Sequence, residues 1–358
     1  MKKLLNGTLL LAIAMMLLTG CWDSSELSEI GFVTLMSIDV DEEDASRYAV
    51  SLEMPQIKHD NKAPGGVIKS GAHRSLNHAI YNIGQETERE IFLGHMKVLI
   101  CGEELLGDAQ MFRHALTSLA KDSNVSRTLL VLATDGSAAD IIGLDAVDEE
   151  LLGVYITNFF HKKNPATTQR QTLDSLTRYF SNGESVIIPR ISESDEGLSF
   201  SGAALMHNYS LAGWLCEEQL SSLSWLSSDA KRLNLNVSSD DCNFAIRIDD
   251  YNSKITFFER YRTLYAKITI ELEGELKDLP HQSSIAQKQL EQKARERIQN
   301  DLEEVIETFH TQMGVDGLNL ARKLEKNYPR LYSAHVGGGL NIMDVPIVFN
   351  VRATINSP

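Results

Sequence analysis

Cationic residues are in short supply in this chain. Against 49 Asp and Glu stand 34 Lys and Arg, a formal net charge of −15. The diffuse positive field that phosphate-backbone binding requires is therefore missing, which argues against nucleic acid as a partner. Cysteine is sparse as well, and four in 358 residues do not build a disulfide scaffold. The apolar run from Leu9 to Leu18 falls well short of the roughly 20 residues that cross a bilayer. With 43% hydrophobic and 23% charged residues, neither a disordered chain nor a multi-span membrane protein fits. Catalytic signatures are absent too: no His-Glu-x-x-His helix, no Gly-x-Ser-x-Gly elbow, no Gly-Lys-Ser or Gly-Lys-Thr phosphate loop.

What is present begins with an address. Lys2 and Lys3 precede the apolar run, and Leu18-Thr19-Gly20-Cys21 closes it. This is the layout of a cleaved secretory leader ending in a lipobox, in which the Cys21 thiol takes a diacylglyceryl group and becomes the mature N-terminus. Two acyl chains suffice for stable anchoring at about 0.8 kcal/mol per buried methylene. Trp22 suits the headgroup level, and the negative total argues against further adhesion to anionic lipid.

At roughly 150 residues per domain, the length implies two or three domains. Alternation from Glu29 to Val40 and from Tyr48 to Met54 predicts two strands joined at the acidic turn Asp41 to Asp44. His59 to Gly71 reads as a loop. Helical spacing follows from Ser75, then a strand from His95 to Cys101, a helix around Met111 to Ala120, and a strand from Arg127 to Thr134. Helices over Leu151 to Phe160 and Thr172 to Phe180 and a strand from Val186 to Ile191 complete this part. Past the acidic segment 192–197 come a hairpin around Asn208 and short strands at Leu233 to Val237, Phe244 to Ile248 and Ile255 to Phe258. An alternating strand from Tyr265 to Leu276 precedes a long amphipathic helix from Ser284 to Met313, with Ser284 and Gln287 as capping box and Gly314 at its end. A helix to Asn327 and a strand from Val345 to Ile355 close the chain. The expected organisation is α+β: a leader (1–20), an N-terminal domain (21–192), a sheet-rich middle domain (197–260) and a C-terminal domain (261–358).

Isolated chemical groups offer little. Ser199 follows Gly197, but Ser201 occupies the place of the second glycine. His73, His78 and His95 lack the spacing of a metal set and read as surface or capping residues. Gly337, Gly338 and Gly339 follow no strand and read as a turn. Cys101 reads as a small buried hydrophobe. Cys216 and Cys242 either pair or stay free.

Four blocks of the sequence carry a resemblance. The first is Cys21-Trp22-Asp23-Ser24-Ser25-Glu26-Leu27. The second runs from Ser70-Gly71 through Arg89 to Gly94-His95-Met96-Lys97 and on to Gly102-Glu103-Glu104-Leu105. The third is Gly202-Ala203-Ala204-Leu205 with Leu211-Ala212-Gly213-Trp214-Leu215, and the fourth is Asp316-Gly317 with the helix to Tyr328 and Pro329. Together they resemble the Ger(x)C family, the lipoprotein C subunits of spore germinant receptors. The sequence departs from the family pattern in having Leu318 after Gly317 and a glycine triplet after His335.

The resemblance implies three mixed-sheet α+β domains after a cleaved lipoprotein signal peptide, without enzymatic activity or cofactor. It implies lipid anchorage on the outer face of the spore inner membrane beside the membrane-embedded A and B subunits, in the response to nutrient germinants. Gly94, His95 and Lys97 then either shape an assembly surface or serve a tight turn and a hydrogen-bonded cap. A tethered solute-binding lipoprotein is the alternative.

Overall fold

The computed structural model describes residues 30–56, 66–87, 89–144, 151–162, 170–194, 197–226, 234–239, 242–278 and 287–356. The leader, Cys21 and Ser284 lie outside the described residues. The first part of the chain contains β1 (Ile30–Phe32), β2 (Leu35–Val40), β3 (Tyr48–Pro55), β4 (Gly66–His73), α1 (Leu76–Thr87), β5 (Glu90–Phe92) and β6 (Val98–Cys101). There follow α2 (Glu103–Gly107), α3 (Ala109–Lys121), β7 (Leu130–Ala133), α4 (Ala138–Gly143), α5 (Leu152–Lys162) and α6 (Leu173–Ser181). Five strands form one sheet in the order β4-β3-β2-β6-β7. β6 runs parallel to β2 and β7, while β3 is antiparallel to both β2 and β4.

Side chains alternate across this sheet. Met36, Leu99 and Val131 face a core closed by α1, α3 and α6, whereas Leu35, Ile100 and Leu132 face a second core closed by α4 and α5. Burial on both faces is why β6 and β7 are continuous apolar runs.

Three sequence expectations need correction here. The alternating stretch from Glu29 to Val40 is two strands, because the chain changes partner between them. Val33 N–H bonds Phe92 O, Thr34 N–H bonds Glu53 O, and β1 pairs with β5 outside the central sheet. The expected loop contains β4, an edge strand held by backbone bonds to β3, so it needs little apolar alternation. β6 starts at Val98 and not at His95, because Leu93–His95 coil into a 3-10 turn closed by Met96 N–H on Leu93 O.

The second part contains β8 (Val186–Pro189), β9 (Ser192–Ser194), β10 (Gly197–Ser199), β11 (Ala203–His207), β12 (Ser210–Leu215), α7 (Glu217–Ser224), β13 (Asn234–Ser239), β14 (Cys242–Arg260) and β15 (Thr263–Asp278). It ends with α8 (Gln287–Glu307), α9 (Leu320–Asn327), α10 (Pro329–Ala334) and β16 (Ile347–Asn356). The sheet β12-β11-β8 is a shared wall. Ala204 and Met206 face the core of the first part, and Ala203 and Leu205 face the core of the second.

In the sheet β13-β14-β15-β16, α8 lies across one face through Leu290, Ala294, Ile298 and Leu302, against Ile246, Ala266, Ile268 and Ile270. The two short strands expected within 244–258 are one strand of 19 residues. Ile248 pairs with Gly274 and Asp250 with Glu273, which leaves Asp249 as a bulge. An inserted residue flips the parity of everything after it: Ile246 and Ile248 point inward before it, and Ile255 and Phe257 after it. The long helix closes with a single π turn, Thr308–Gln312.

Candidate docking surface

Gly94, His95 and Lys97 sit where the chain enters the body. β1 and β5 pair in parallel, Ile30 with Glu90 and Phe32 with Phe92. The His95 ring lies 5.2 Å from that of Phe32 and 5.7 Å from that of Phe92. Gly94 is required because a Cβ there would overlap the Phe92 ring. Lys97 joins layers through its backbone, its N–H donating to Thr34 O at 2.9 Å and its O accepting from Leu130 N–H at 3.0 Å. The side chains of His95 and Lys97 both remain exposed. The structure thus gives glycine a steric role and His95 an aromatic seat.

Beside this motif is a groove of about 600 Å³, lined by Tyr81, Gln85, Arg89, Ile91, Leu93 and Asp122 among others. It exists because β5 runs along the flank of α1 and the end of α3 turns toward both. Tyr81 is 60% exposed on its rim. Arg89, quoted above for the resemblance, lines the groove with Leu93, the residue before Gly94.

The other blocks meet as structural joints. Trp214 Nε1–H donates to Glu103 Oε1 at 2.8 Å, tying the third block to the second. Gly202 has φ +86, and a Cβ there would press on Leu215 O and the Arg190 guanidinium. That guanidinium donates to Ser201 O and to Asp135 Oδ2, at 2.8 and 2.9 Å. In the fourth block the Asp316 carboxyl accepts from the N–H groups of Leu320 and Ala321, both at 2.8 Å, and caps α9. Asn319 clamps the backbone of Ser185, accepting from its N–H at 2.6 Å and donating to its O at 2.9 Å.

Other sequence candidates find separate places. His73 Nδ1 accepts from Ser75 N–H at 3.0 Å at the start of α1, a capping role, and its ring lies 4.8 Å from that of His78. His95 joins the Phe32 cluster instead. Among the described residues no group of three metal-ligating side chains converges. Ser199 Oγ is 3.2 Å from Ser201 Oγ. Cys101 is buried, and burial pushes its thiol pKa well up. Cys216 is a free exposed thiol, and the side chain of Cys242 lies outside the described residues.

Two carboxyls, Glu53 buried and Asp39 half-buried, escaped sequence reading. Asp39 accepts from the N–H groups of Ala138 and Ala139 at 2.7 and 2.9 Å, and burial raises its pKa despite those bonds. Glu53 accepts from Leu152 and Gly153 at 2.6 and 3.0 Å, capping α5. Each partner lies about a hundred residues away, and no local signal marks them. Among the described residues no helix is long and apolar enough to cross a membrane.

Comparison with known proteins agrees with this architecture. Residues 23–193 match the model for the spore germination protein N-terminal domain, and residues 201–358 match that for the spore germination B3/GerAC-like C-terminal region. Spore germination protein YndF of Bacillus subtilis (strain 168) is 22% identical, with 86% of this chain and 83% of the relative covered. Spore germination protein A3 of the same organism is 19% identical, covering 74% and 72%. The crystal structure of the GerBC protein shares the fold, with a TM-score of 0.61 at 15% identity, over 89% of this chain and 96% of that one. A chain matched by both domain models, whose second, third and fourth quoted blocks lie within the described fold, belongs to the Ger(x)C family of spore germination proteins.

Proposed function

We propose that this protein is the C subunit of a spore germinant receptor. In this reading it is a non-enzymatic body, tethered by a diacylglyceryl group on Cys21 to the outer face of the spore inner membrane and docked on the membrane-embedded A and B subunits. The observation that carries it is the position of β1. This strand is zipped onto β5 immediately before Gly94, His95 and Lys97. From Cys21 to Ile30 the chain takes nine steps, a reach of at most about 30 Å. In this reading the groove face lies within that reach of the anchor, on the side offered to membrane-embedded partners.

Replacing Cys21 by Ala is expected to release the protein from the membrane fraction and slow germination. Full retention with normal germination overturns the anchor. Tyr81→Ala with Arg89→Ala is expected to leave the fold intact and to lower co-purification with the A and B subunits. A second reading is favoured by the groove itself, since Arg89 and Asp122 offer opposite charges to a small zwitterion in about 600 Å³. Titration calorimetry with amino acids and sugars separates the two, because docking alone predicts no heat.

A further inference from the structure

Three of the five most exposed large hydrophobics in the described part of the chain lie near the free end of the β14–β15 hairpin: Phe258 on β14, Tyr261 in the turn and Val348 on the neighbouring β16, at 37, 88 and 41% exposure. The pairing puts Phe258 and Val348 on a single face. Arg260 pairs with Thr263, Phe258 with Tyr265, and Lys267 with both Thr256 and Val348, so all point away from α8 with Lys254 two residues further on. The Phe258 and Tyr265 rings stack at 5.2 Å and 9°. Around them stand Lys254, Arg260, Arg262 and Lys267, and none of the four is in an ion pair with a described residue. Glu259, the carboxylate within this tip, is held by His335 at 2.8 Å. The other acidic residues of the hairpin, Asp249, Asp250, Glu271, Glu273, Glu275 and Asp278, lie toward its other end, with Glu271, Glu273 and Glu275 bonded to Arg352, Asn356 and Arg247.

The turn adds an independent observation. Tyr261 and Arg262 are the two central residues of a two-residue hairpin with φ of 51° and 64°. Such a turn favours Asn-Gly, and a bulky side chain at each place is strained. Strain of this kind clusters at functional sites. An exposed tyrosine beside unpaired cations is the composition that seats at a bilayer interface, the ring among the headgroups and the cations on their phosphates.

We propose that the tip of the β14–β15 hairpin is a lipid-contacting site that docks on an anionic bilayer surface. Net charge does not oppose this, because the chain segregates its charges: acidic in sum, cationic at this end. The site lies in the second part of the chain and shares no residue with the groove face.

The test is hydroxyl-radical footprinting of the full chain on vesicles of phosphatidylcholine, with and without phosphatidylglycerol, with Tyr81 as internal reference. Oxidation of Tyr261 is expected to fall several-fold on the anionic vesicles alone and to recover in high salt, with Tyr81 unchanged. Equal oxidation of Tyr261 on both vesicles overturns the proposal even when the chain stays bound to them, which leaves the anchor standing. Loss of the chain from neutral vesicles counts against the anchor and leaves the tip to be judged on the anionic ones. Protection that appears only when other membrane proteins are added overturns the lipid assignment. Lys254→Gln with Lys267→Gln is expected to weaken the anionic-lipid dependence by roughly fivefold per cation. Tyr261→Asn with Arg262→Gly, a pair the turn prefers, is expected to abolish the protection of Phe258 and Tyr265 while keeping the fold.

Discussion

The two large sheets of this protein treat their faces differently. In β4-β3-β2-β6-β7 the central strands are covered on both sides, and a buried carboxylate there is met from within. Glu53, 4% exposed, receives Thr34 Oγ1–H at 2.6 Å besides the two N–H groups of α5. β13-β14-β15-β16 is covered by α8 on one side, and the polar residues of its other side face water. The same contrast recurs in two turns of like backbone. At Asn208–Tyr209, with φ of 49° and 67°, Tyr209 stacks on Phe180 at 4.2 Å under the Arg113 guanidinium. At Tyr261–Arg262 the tyrosine ring is met by the Arg260 guanidinium at 5.2 Å and is otherwise open to solvent. Packing offsets the strain of the first turn, and nothing within the described chain offsets that of the second. Covered surface in this molecule stabilises, and bare surface is what remains for partners.

The largest expected effect lies in the covered sheet. Glu53→Ala leaves two helix N–H groups and a hydroxyl without an acceptor and is expected to cost about 3 kcal/mol in urea unfolding. Lys254→Ala, on the bare face, is expected to stay within about 0.5 kcal/mol. Similar losses for the two would break the comparison.

Gly94→Ala forces the Phe92 ring aside and is expected to cost about 1–3 kcal/mol, read by the same unfolding curves. The two turns sharpen the contrast. Tyr209→Asn loses ring stacking and is expected to destabilise by about 1 kcal/mol. Tyr261→Asn with Arg262→Gly relieves strain and is expected to stabilise by a similar amount, about 1 kcal/mol. Equal signs would show that Tyr261 is held by contacts of its own.

The smallest effect is in pH dependence. His310 in the π turn has a buried Nε2 without a partner, and burial lowers its pKa from 6.5 although Asp316 and Asp344 push the other way. A base with a depressed folded-state pKa contributes stability that is present above its unfolded value and lost as pH falls through the folded one. Unfolding midpoints are expected to drop between pH 7.5 and 5, and His310→Gln to flatten that slope. Asp39, in the covered sheet, has the opposite sign. Its raised pKa means that stability is lost as pH rises from 3.8 through the folded value, a window at the acid end.

Much of the fold was legible where one element explains itself. α1, α3 and α8 show their apolar stripes, and β6, β7 and β16 show the run or alternation that burial on both faces or on one demands. β4 was invisible because an edge strand is held by backbone bonds that carry no side-chain signature. β14 was read as pieces because the bulge at Asp249 reverses which residues point inward. Of the candidate docking surface, Gly94, His95 and Lys97 stood out as a pattern. The groove beside them did not, since Tyr81, Arg89 and Asp122 come from three separate segments.

The chain by itself determined its total charge, its leader pattern and the periods of its helices and strands, because each is a property of neighbours along the backbone. Only the tertiary structure decided which sheet face stays bare, where unpaired cations collect in an acidic protein, and that Asn319 closes on Ser185 and Trp214 on Glu103. Those outcomes depend on strand register and on the coverage of one element by another. Residues a hundred or more positions apart set both, and no local window contains them.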